Sequence, residues 1–381
     1  MARIIIGSYM VRYPLGGMMS WVLQYILGFH YLGHEVYFVE KSGYANSCYN
    51  PLKKVMSDDC IFGVKAVNSL LSRFGLQNRW CYVDAVNRYY GLSLEQVEEV
   101  FRTADLFLEM GTQEAWLTES AHTQLKVLID GDPGFTQIQM KNRLSAGEEL
   151  PHYDFYYTTG RNIETKTSMV PTVGKQWQSI FHPVVLDLFP IKPTNANSSF
   201  TTVMNWQSYE TINYQGITYG HKDMEFEKFI DLPSLIQVPL ELAIAGNKVP
   251  TARLAKAGWH LKNAHNVTIS FDSFSDYIGT SVGEFTVCKN AYVATNSGWF
   301  SDRSAAYLAS GRPVVMQDTG FSKHLPCGKG LFAVKTVEES ASAIAAVIGN
   351  YKQHSLWARE IAVEYLDASR VLRRFLDELG I

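Results

Sequence analysis

The chain has 381 residues, 46% of them apolar, which at roughly 100 to 200 residues per domain is material for two hydrophobic cores. Its 34 basic and 37 acidic side chains leave a net charge of −3, excluding the strongly basic balance of a chain that coats nucleic acid or an anionic membrane, although a local basic groove is compatible with it. Five cysteines (Cys48, Cys60, Cys81, Cys288, Cys327) without a C-x-x-C pair argue against a disulfide framework or a zinc ribbon and point to a reducing cytoplasm.

Met1–Ile6 has a single Arg and three isoleucines, too little for a secretory core, and reads as the start of a strand. Arg3–Gly7 is that strand, Met18–Leu32 has helical spacing stopped by Gly33, and Glu35–Val39 is the next strand, so a parallel sheet begins here. The intervening loop carries Gly16-Gly17, which lets backbone approach a ligand at a helix start or simply makes the turn. A dinucleotide fingerprint would need its glycines directly after the strand, and Glu40 alone does not supply one. Trp21–Leu32 and Ser234–Gly246 are interrupted by polar residues, so neither supplies the ~20 apolar residues that span a bilayer.

Ser93 and Gln96 form a capping box for a helix to about Thr103, followed by strands at Leu106–Glu109, Lys126–Asp130 and Phe155–Thr158. His182–Ser199, with Pro183, Pro190, Pro193 and a polar tail from Thr194, has the composition of a linker. The division that follows is an N-terminal domain over 1–182, a hinge over 183–199, a C-terminal domain over 200–353 and a terminal helix over 354–381. The second half restarts with a strand at Phe200–Asn205, then a helix near Met224–Phe229 and another around Val249–Ala257. No short tandem repeat or low-complexity segment is present.

The most informative stretch is SGWFSDRSAAYLASGRPVVMQDTG, from Ser297 to Gly320. Ser301 is placed to cap a helix, Asp302 complements its dipole, Gly311 stops it, and Pro313–Met316 is a buried strand. A phosphate at that helix start would meet free N–H groups together with Ser301, Arg303 and Ser304.

A glycine-containing loop, a short helix, A-S-G-R-P-V-V and a D-T-G turn resemble the donor-site region of GT-B glycosyltransferases. The chain is similar in particular to a bacterial glycosyltransferase family 1/4-like group carrying E-F-x-x-x-K-N-x-Y-V before S-G-W-F-S-D-R-S, matched by Glu284, Phe285, Lys289, Asn290, Tyr292, Val293 and Ser297–Ser304. The resemblance implies an α/β fold of two Rossmann-like parallel-sheet domains facing a cleft, with the C-terminal helix returning to the N-terminal domain. It also implies a sugar-nucleotide co-substrate, UDP-linked by expectation, with no cofactor and no metal. Members of the fold commonly place a Glu where this chain has Ser304, Ala305 and Ala306, which leaves donor and stereochemistry open.

On this resemblance Lys222, Lys289 and Arg303 are the expected clamps of the leaving diphosphate, where negative charge grows. Gln317 and Asp318, with Gly320 behind them, are placed for the donor sugar's hydroxyls, Asp318 being alternatively an Asx-type turn. The acceptor must lose a proton, and the N-terminal half offers Asp132 and Asp130 after a buried strand, with His152 and His182 in reserve. Asp130-Gly131-Asp132 also spells D-x-D, the metal motif of a different glycosyltransferase fold, but it lies in the half opposite the donor-like stretch. A sugar-nucleotide epimerase or an inactive sugar-nucleotide-binding protein are the alternatives. The acceptor is open between small molecules, glycans and modified nucleic-acid bases, and the aromatic runs Trp80–Tyr90 and Phe155–Tyr157 are either core or stacking platforms.

Overall fold

The computed structural model describes residues 1–193 and 198–381. Short apolar runs in the first half become β1 (Arg3–Gly7), β2 (Glu35–Lys41), β3 (Trp80–Val83), β4 (Tyr89–Gly91), β5 (Leu106–Met110), β6 (Leu125–Asp130), β7 (Phe155–Thr158) and β8 (Trp177–Ser179). They form one sheet in the order β8-β7-β6-β5-β1-β2-β3-β4, parallel except where β4 turns back on β3. Ile4, Ile5 and Ile6 are all fully buried, as expected of a central parallel strand covered on both faces.

The second half builds β9 (Phe200–Asn205), β10 (Leu240–Ala245), β11 (His260–Asn263), β12 (Gly283–Thr286), β13 (Val314–Gln317) and β14 (Leu331–Val334) into a parallel sheet ordered β11-β10-β9-β12-β13-β14. In each sheet the chain runs outward from its first strand and then returns to that strand's other side, at β1/β5 and at β9/β12. Loops after the carboxyl ends diverge at such reversals and leave a crevice for ligands.

The helices that matter for the site are α1 (Gly16–Tyr31), α2 (Ile61–Ser72), α3 (Leu94–Arg102), α4 (Phe135–Ser145), α5 (Phe271–Thr280), α6 (Asn290–Ala294), α7 (Asp302–Ala309), α8 (Tyr351–Ile361) and α9 (Ala368–Leu379). The capping box of α3 forms as expected, Gln96 N–H donating to Ser93 Oγ at 3.3 Å and Ser93 N–H to Gln96 Oε1 at 2.9 Å. The structure adds elements beyond those expected from the sequence: the hairpin pairing Cys48–Asn50 with Val55–Ser57, together with α2, β3 and β4. Trp80, Tyr82, Tyr156 and Tyr157 are buried, so both aromatic runs supply core at these positions.

Of the expected hinge, Leu186–Leu188 is a single 3₁₀ turn, and the polar positions 194–197 lie outside the described residues. The terminal helix expected over 354–381 is instead two helices. α8 begins at Tyr351 and stays on the second domain, where Arg359 donates to the Ala309 carbonyl at the end of α7. A π turn at Ala362–Leu366 breaks it, and Asp367 caps α9 by accepting from Ser369 N–H at 3.0 Å. α9 then lies on the first domain against α1 and β7, with Phe375 4.8 Å from the Tyr157 ring and 6.1 Å from Phe29. A Cβ on Gly28 would fall 2.4 Å from Leu372 Cδ1, so the absence of a side chain there lets α1 and α9 touch. Beside this crossing, Val184 N–H donates to Leu366 O at 2.8 Å and Ala368 N–H to Val184 O at 2.9 Å.

Candidate active site

β6 delivers Asp130 and Asp132 to the carboxyl end of the first sheet, and the two carboxylates then part. Asp130 is fully buried and accepts from Asp132 N–H at 2.8 Å, Gln137 Nε2 at 2.7 Å and Thr158 Oγ1 at 2.8 Å. Burial pushes its pKa up against the pull of those hydrogen bonds. Asp130 therefore forms the turn that aims Asp132, and the catalytic role expected for it is not available to a residue without solvent access in this conformation. The D-x-D spelling is likewise divided, since the two side chains face different partners.

Asp132 reaches across to the second domain. Lys289 Nζ lies 3.0 Å from both of its carboxylate oxygens, Tyr292 OH donates to Oδ1 and Tyr209 OH to Oδ2. Lys289 also donates to Tyr209 OH at 2.7 Å. The chain places Lys289 at the N-cap of α6, directly beyond β12 at the reversal of the second sheet. The predicted base and one predicted clamp thus meet. Tyr209 and His221 were not anticipated; Tyr292 belonged to the quoted motif without a role. His221 is buried with neither ring nitrogen hydrogen-bonded, stacked 5.3 Å from Phe135 and edge-on to Tyr209 at 4.5 Å. Burial first, and then the Lys289 charge, pushes its pKa down.

The other cations divide by partner. Lys222 is buried, donates only to Thr286 Oγ1 at 3.5 Å, and has no carboxylate at ion-pair distance among the described residues. Burial, reinforced by the Arg303 charge, pushes its pKa down to about 7. Arg303 is already paired, its Nε 2.5 Å from Glu284 Oε1 and its Nη2 2.8 Å from Thr286 Oγ1. Burial acts against the Arg303 charge and Glu284 more than offsets it, leaving the pKa raised. Ser304 Oγ donates to the second oxygen of the fully buried Glu284 at 2.5 Å, so Ser304 supports the arginine from inside the core.

The remaining expected residues take varied positions. Ser301 has extended N-cap backbone, yet its buried hydroxyl makes no cap bond. Asp302 stands in the first turn of α7, where its charge acts on His182 of the other domain. His182 is buried, its Nδ1 unpartnered and its pKa lowered by burial, whereas His152 is exposed near Asp154. Gln317 does not present a free amide: Oε1 accepts from Cys288 N–H at 3.0 Å and Nε2 donates to the buried Glu225 at 2.6 Å. Asp318 forms the Asx-type turn, accepting from Gly320 N–H at 2.8 Å and Ser322 Oγ at 2.9 Å, and Gly320 adopts φ of 93° to close it. A Cβ on Gly16 would fall 2.3 Å from Ser270 O and 2.5 Å from Phe274 Cβ, whereas Gly17 has room, so Gly16 serves close packing of α1 against α5 of the second domain. No group of three or more His, Cys, Asp or Glu suited to a metal ion occurs among the described residues.

No protein-family model matches the sequence, and no curated protein is similar to it at a significant level. Solved structures are similar along the whole chain. An alpha-glucosyltransferase in complex with UDP-glucose and DNA containing an abasic site aligns over 100% of this chain and 99% of its own, with a TM-score of 0.56 and 12% identity. Anabaena HepE in complex with UDP-glucose aligns over 100% of both chains with a TM-score of 0.58 and 13% identity. TarM aligns over 99% of this chain and 98% of its own, with a TM-score of 0.55 and 10% identity. Two parallel sheets, each reversing at its first strand, facing each other through Asp132 and Lys289 and joined by a returning C-terminal helix, give this chain the GT-B fold.

Proposed function

We propose that the protein is a glycosyltransferase that moves a sugar from a nucleotide-diphosphate donor, UDP-linked by preference, to a hydroxyl acceptor. The observation that carries this reading is Lys222, a buried lysine with no counter-ion among the described residues, beside Arg303 and close to Lys289 at the carboxyl edge of the second sheet. An unpaired buried cation is costly unless a ligand anion completes it, and a diphosphate is such an anion. The structural neighbours support the donor class, since the alpha-glucosyltransferase and HepE structures contain UDP-glucose.

In this reading Lys222, Lys289 and Arg303 stabilise charge on the departing diphosphate. Asp132, from the opposite domain, accepts the proton of the attacking hydroxyl through one of its carboxylate oxygens. The cations supply the positive charge at the leaving group, so activity in excess EDTA is expected to match that without it. We place the enzyme in a reducing compartment, the cytoplasm, in keeping with five unpaired cysteines, four of them buried. No helix among the described residues is long and apolar enough to cross a membrane.

A thermal-shift and calorimetric panel of UDP, TDP, GDP and ADP tests the donor site, because a ligand selective for the folded state raises its stability by mass action. One diphosphate is expected to bind and to lose at least about tenfold in affinity in Lys222→Met, an order of magnitude suited to a charge-assisted contact. Equal affinity in wild type and Lys222→Met, or no binding by any of the four, overturns the proposal.

A further inference from the structure

The acceptor side of the cleft carries a row of partly exposed aromatic rings that the donor chemistry does not use. Tyr9 and Tyr13 follow β1, and Trp21 projects from the second turn of α1. The Tyr9 ring is 6.1 Å from Trp21 and 5.9 Å from Tyr13, both edge-on, and Tyr13 OH is 3.3 Å from the OH of the exposed Tyr44. This row adjoins Asp132: the Trp21 ring lies 3.1 Å from where a Cβ on Gly131 would stand, and the charge of Asp132 acts on Tyr9. Trp21 Nε1 and Ser8 Oγ are buried polar atoms without a partner beside it.

Three cations of the N-terminal domain are neutralised within the protein, whereas Arg161, just beyond β7, lies over the Phe181 ring with no carboxylate at ion-pair distance among the described residues. Arg12 Nε is 3.0 Å from the buried Glu40, Lys41 Nζ 2.6 Å from Glu119, and Arg143 Nη1 2.6 Å from Glu114. Lys289 faces Asp132. One unpaired arginine is far short of the surplus positive charge that phosphate backbones require, and a polyanion would otherwise meet aromatic faces and carboxylates here. An uncharged sugar ring fits: its C–H face packs on aromatic rings, and one of its hydroxyls suits a carboxylate such as Asp132.

Resting on the glycosyltransferase reading, we infer that the acceptor is a neutral carbohydrate, stacked on Tyr9, Tyr13, Trp21 and Tyr44 with one hydroxyl directed at Asp132, and not a nucleic acid.

The test titrates the full chain, saturated with UDP, with methyl β-glucoside, methyl β-galactoside, N-acetylglucosamine and maltose, followed by saturation-transfer NMR. A labelled duplex carrying 5-hydroxymethyluracil, followed by fluorescence anisotropy at low and moderate salt, is the second arm. At least one sugar is expected to bind with little salt dependence and strongest transfer to its C–H protons. Trp21→Ala and Tyr44→Ala should each weaken it by about fivefold or more, in line with the loss of one aromatic contact, while UDP affinity stays within about twofold. Tyr44 is more than half exposed, so its variant keeps the test intact if Trp21→Ala fails to fold. Absence of binding by all four sugars with UDP bound, or duplex binding that falls steeply with salt, overturns the inference. Failure of UDP, TDP, GDP and ADP alike to bind sinks the donor reading instead, and the sugar titration without nucleotide then still decides whether the aromatic row holds a carbohydrate.

Discussion

Lys289 and Asp132, which stand beyond the carboxyl ends of strands in different sheets, form an ion pair across the cleft with both carboxylate oxygens 3.0 Å from the ammonium nitrogen. Both side chains are partly exposed, 20% and 31%, so water screens the pair and its worth to folding is small, on the order of 0 to 1 kcal/mol. Its consequence is for function: in the proposed reaction, the group that takes the acceptor proton and a group that holds the donor are each other's partner.

Replacing Asp132 by Asn keeps the shape and removes the proposed base. Transfer is expected to fall by about 100- to 10,000-fold, the usual contribution of a positioned general base, with UDP affinity within about twofold of wild type. Initial rates beside calorimetry check this, and an undiminished rate would remove Asp132 from the chemistry.

Lys222 predicts a pH signature. Its folded pKa of about 7 lies below the ordinary 10.5, so between those values the unfolded chain binds the extra proton and the stability of the free protein rises with pH through this group. Bound diphosphate favours the charged lysine. Nucleotide affinity should therefore fall as pH rises above about 7, approaching tenfold per unit, with uptake of up to about one proton on binding. Calorimetry in buffers of different ionisation heat measures that uptake, and Lys222→Met should abolish it. Equal heats in all buffers at pH 8 would contradict the assignment.

Glu284 is fully buried and holds Arg303 and Ser304 at once. Glu284→Ala strands a buried guanidinium and should cost about 3 to 5 kcal/mol in urea unfolding, far more than a surface ion pair would. Glu284→Gln, which keeps one acceptor, should lose less. A change below about 1 kcal/mol in Glu284→Ala would show that Arg303 finds water in its place.

Two adjacent glycines separate packing from turn-making. Gly16→Ala drives a methyl into Ser270 O and Phe274 and should destabilise by about 1 to 3 kcal/mol, whereas Gly17→Ala has room in a helix and should be neutral or stabilising by about 0.5 to 1 kcal/mol. Paired melting curves distinguish them, and equal losses would mean that the contact between α1 and α5 is absent in solution.

Much of the architecture was legible because its signals are local: isoleucine runs for β1, Ser93 and Gln96 for the start of α3, and Gly311 after α7. The break in the terminal helix escaped because no Gly or Pro marks it; Asp367, followed two residues later by Ser369, was the available clue. Asp132 and Lys289 were named from position and motif, but their pairing spans 157 positions and depends on how two sheets face each other. Lys222 and Arg303 looked equivalent as letters. Only the fold shows that Arg303 owns a buried carboxylate partner in Glu284, whereas Lys222 has just the Thr286 hydroxyl and no carboxylate among the described residues. Gln317 looked like a free amide for the same reason, since Glu225 lies 92 positions away. Tyr209 sits in a stretch without pattern and had no signal to read.

The backbone bonds that tie Val184 to Leu366 and Ala368 have a mechanical result. The chain passes between the halves twice, and the two passages lie side by side, laced by a pair of hydrogen bonds around a buried valine. A single tether would leave the halves free to twist and slide as well as bend. Two tethers abreast restrict twist and slide as the pin of a door does, which favours keeping Asp132 and Lys289 in register across the cleft.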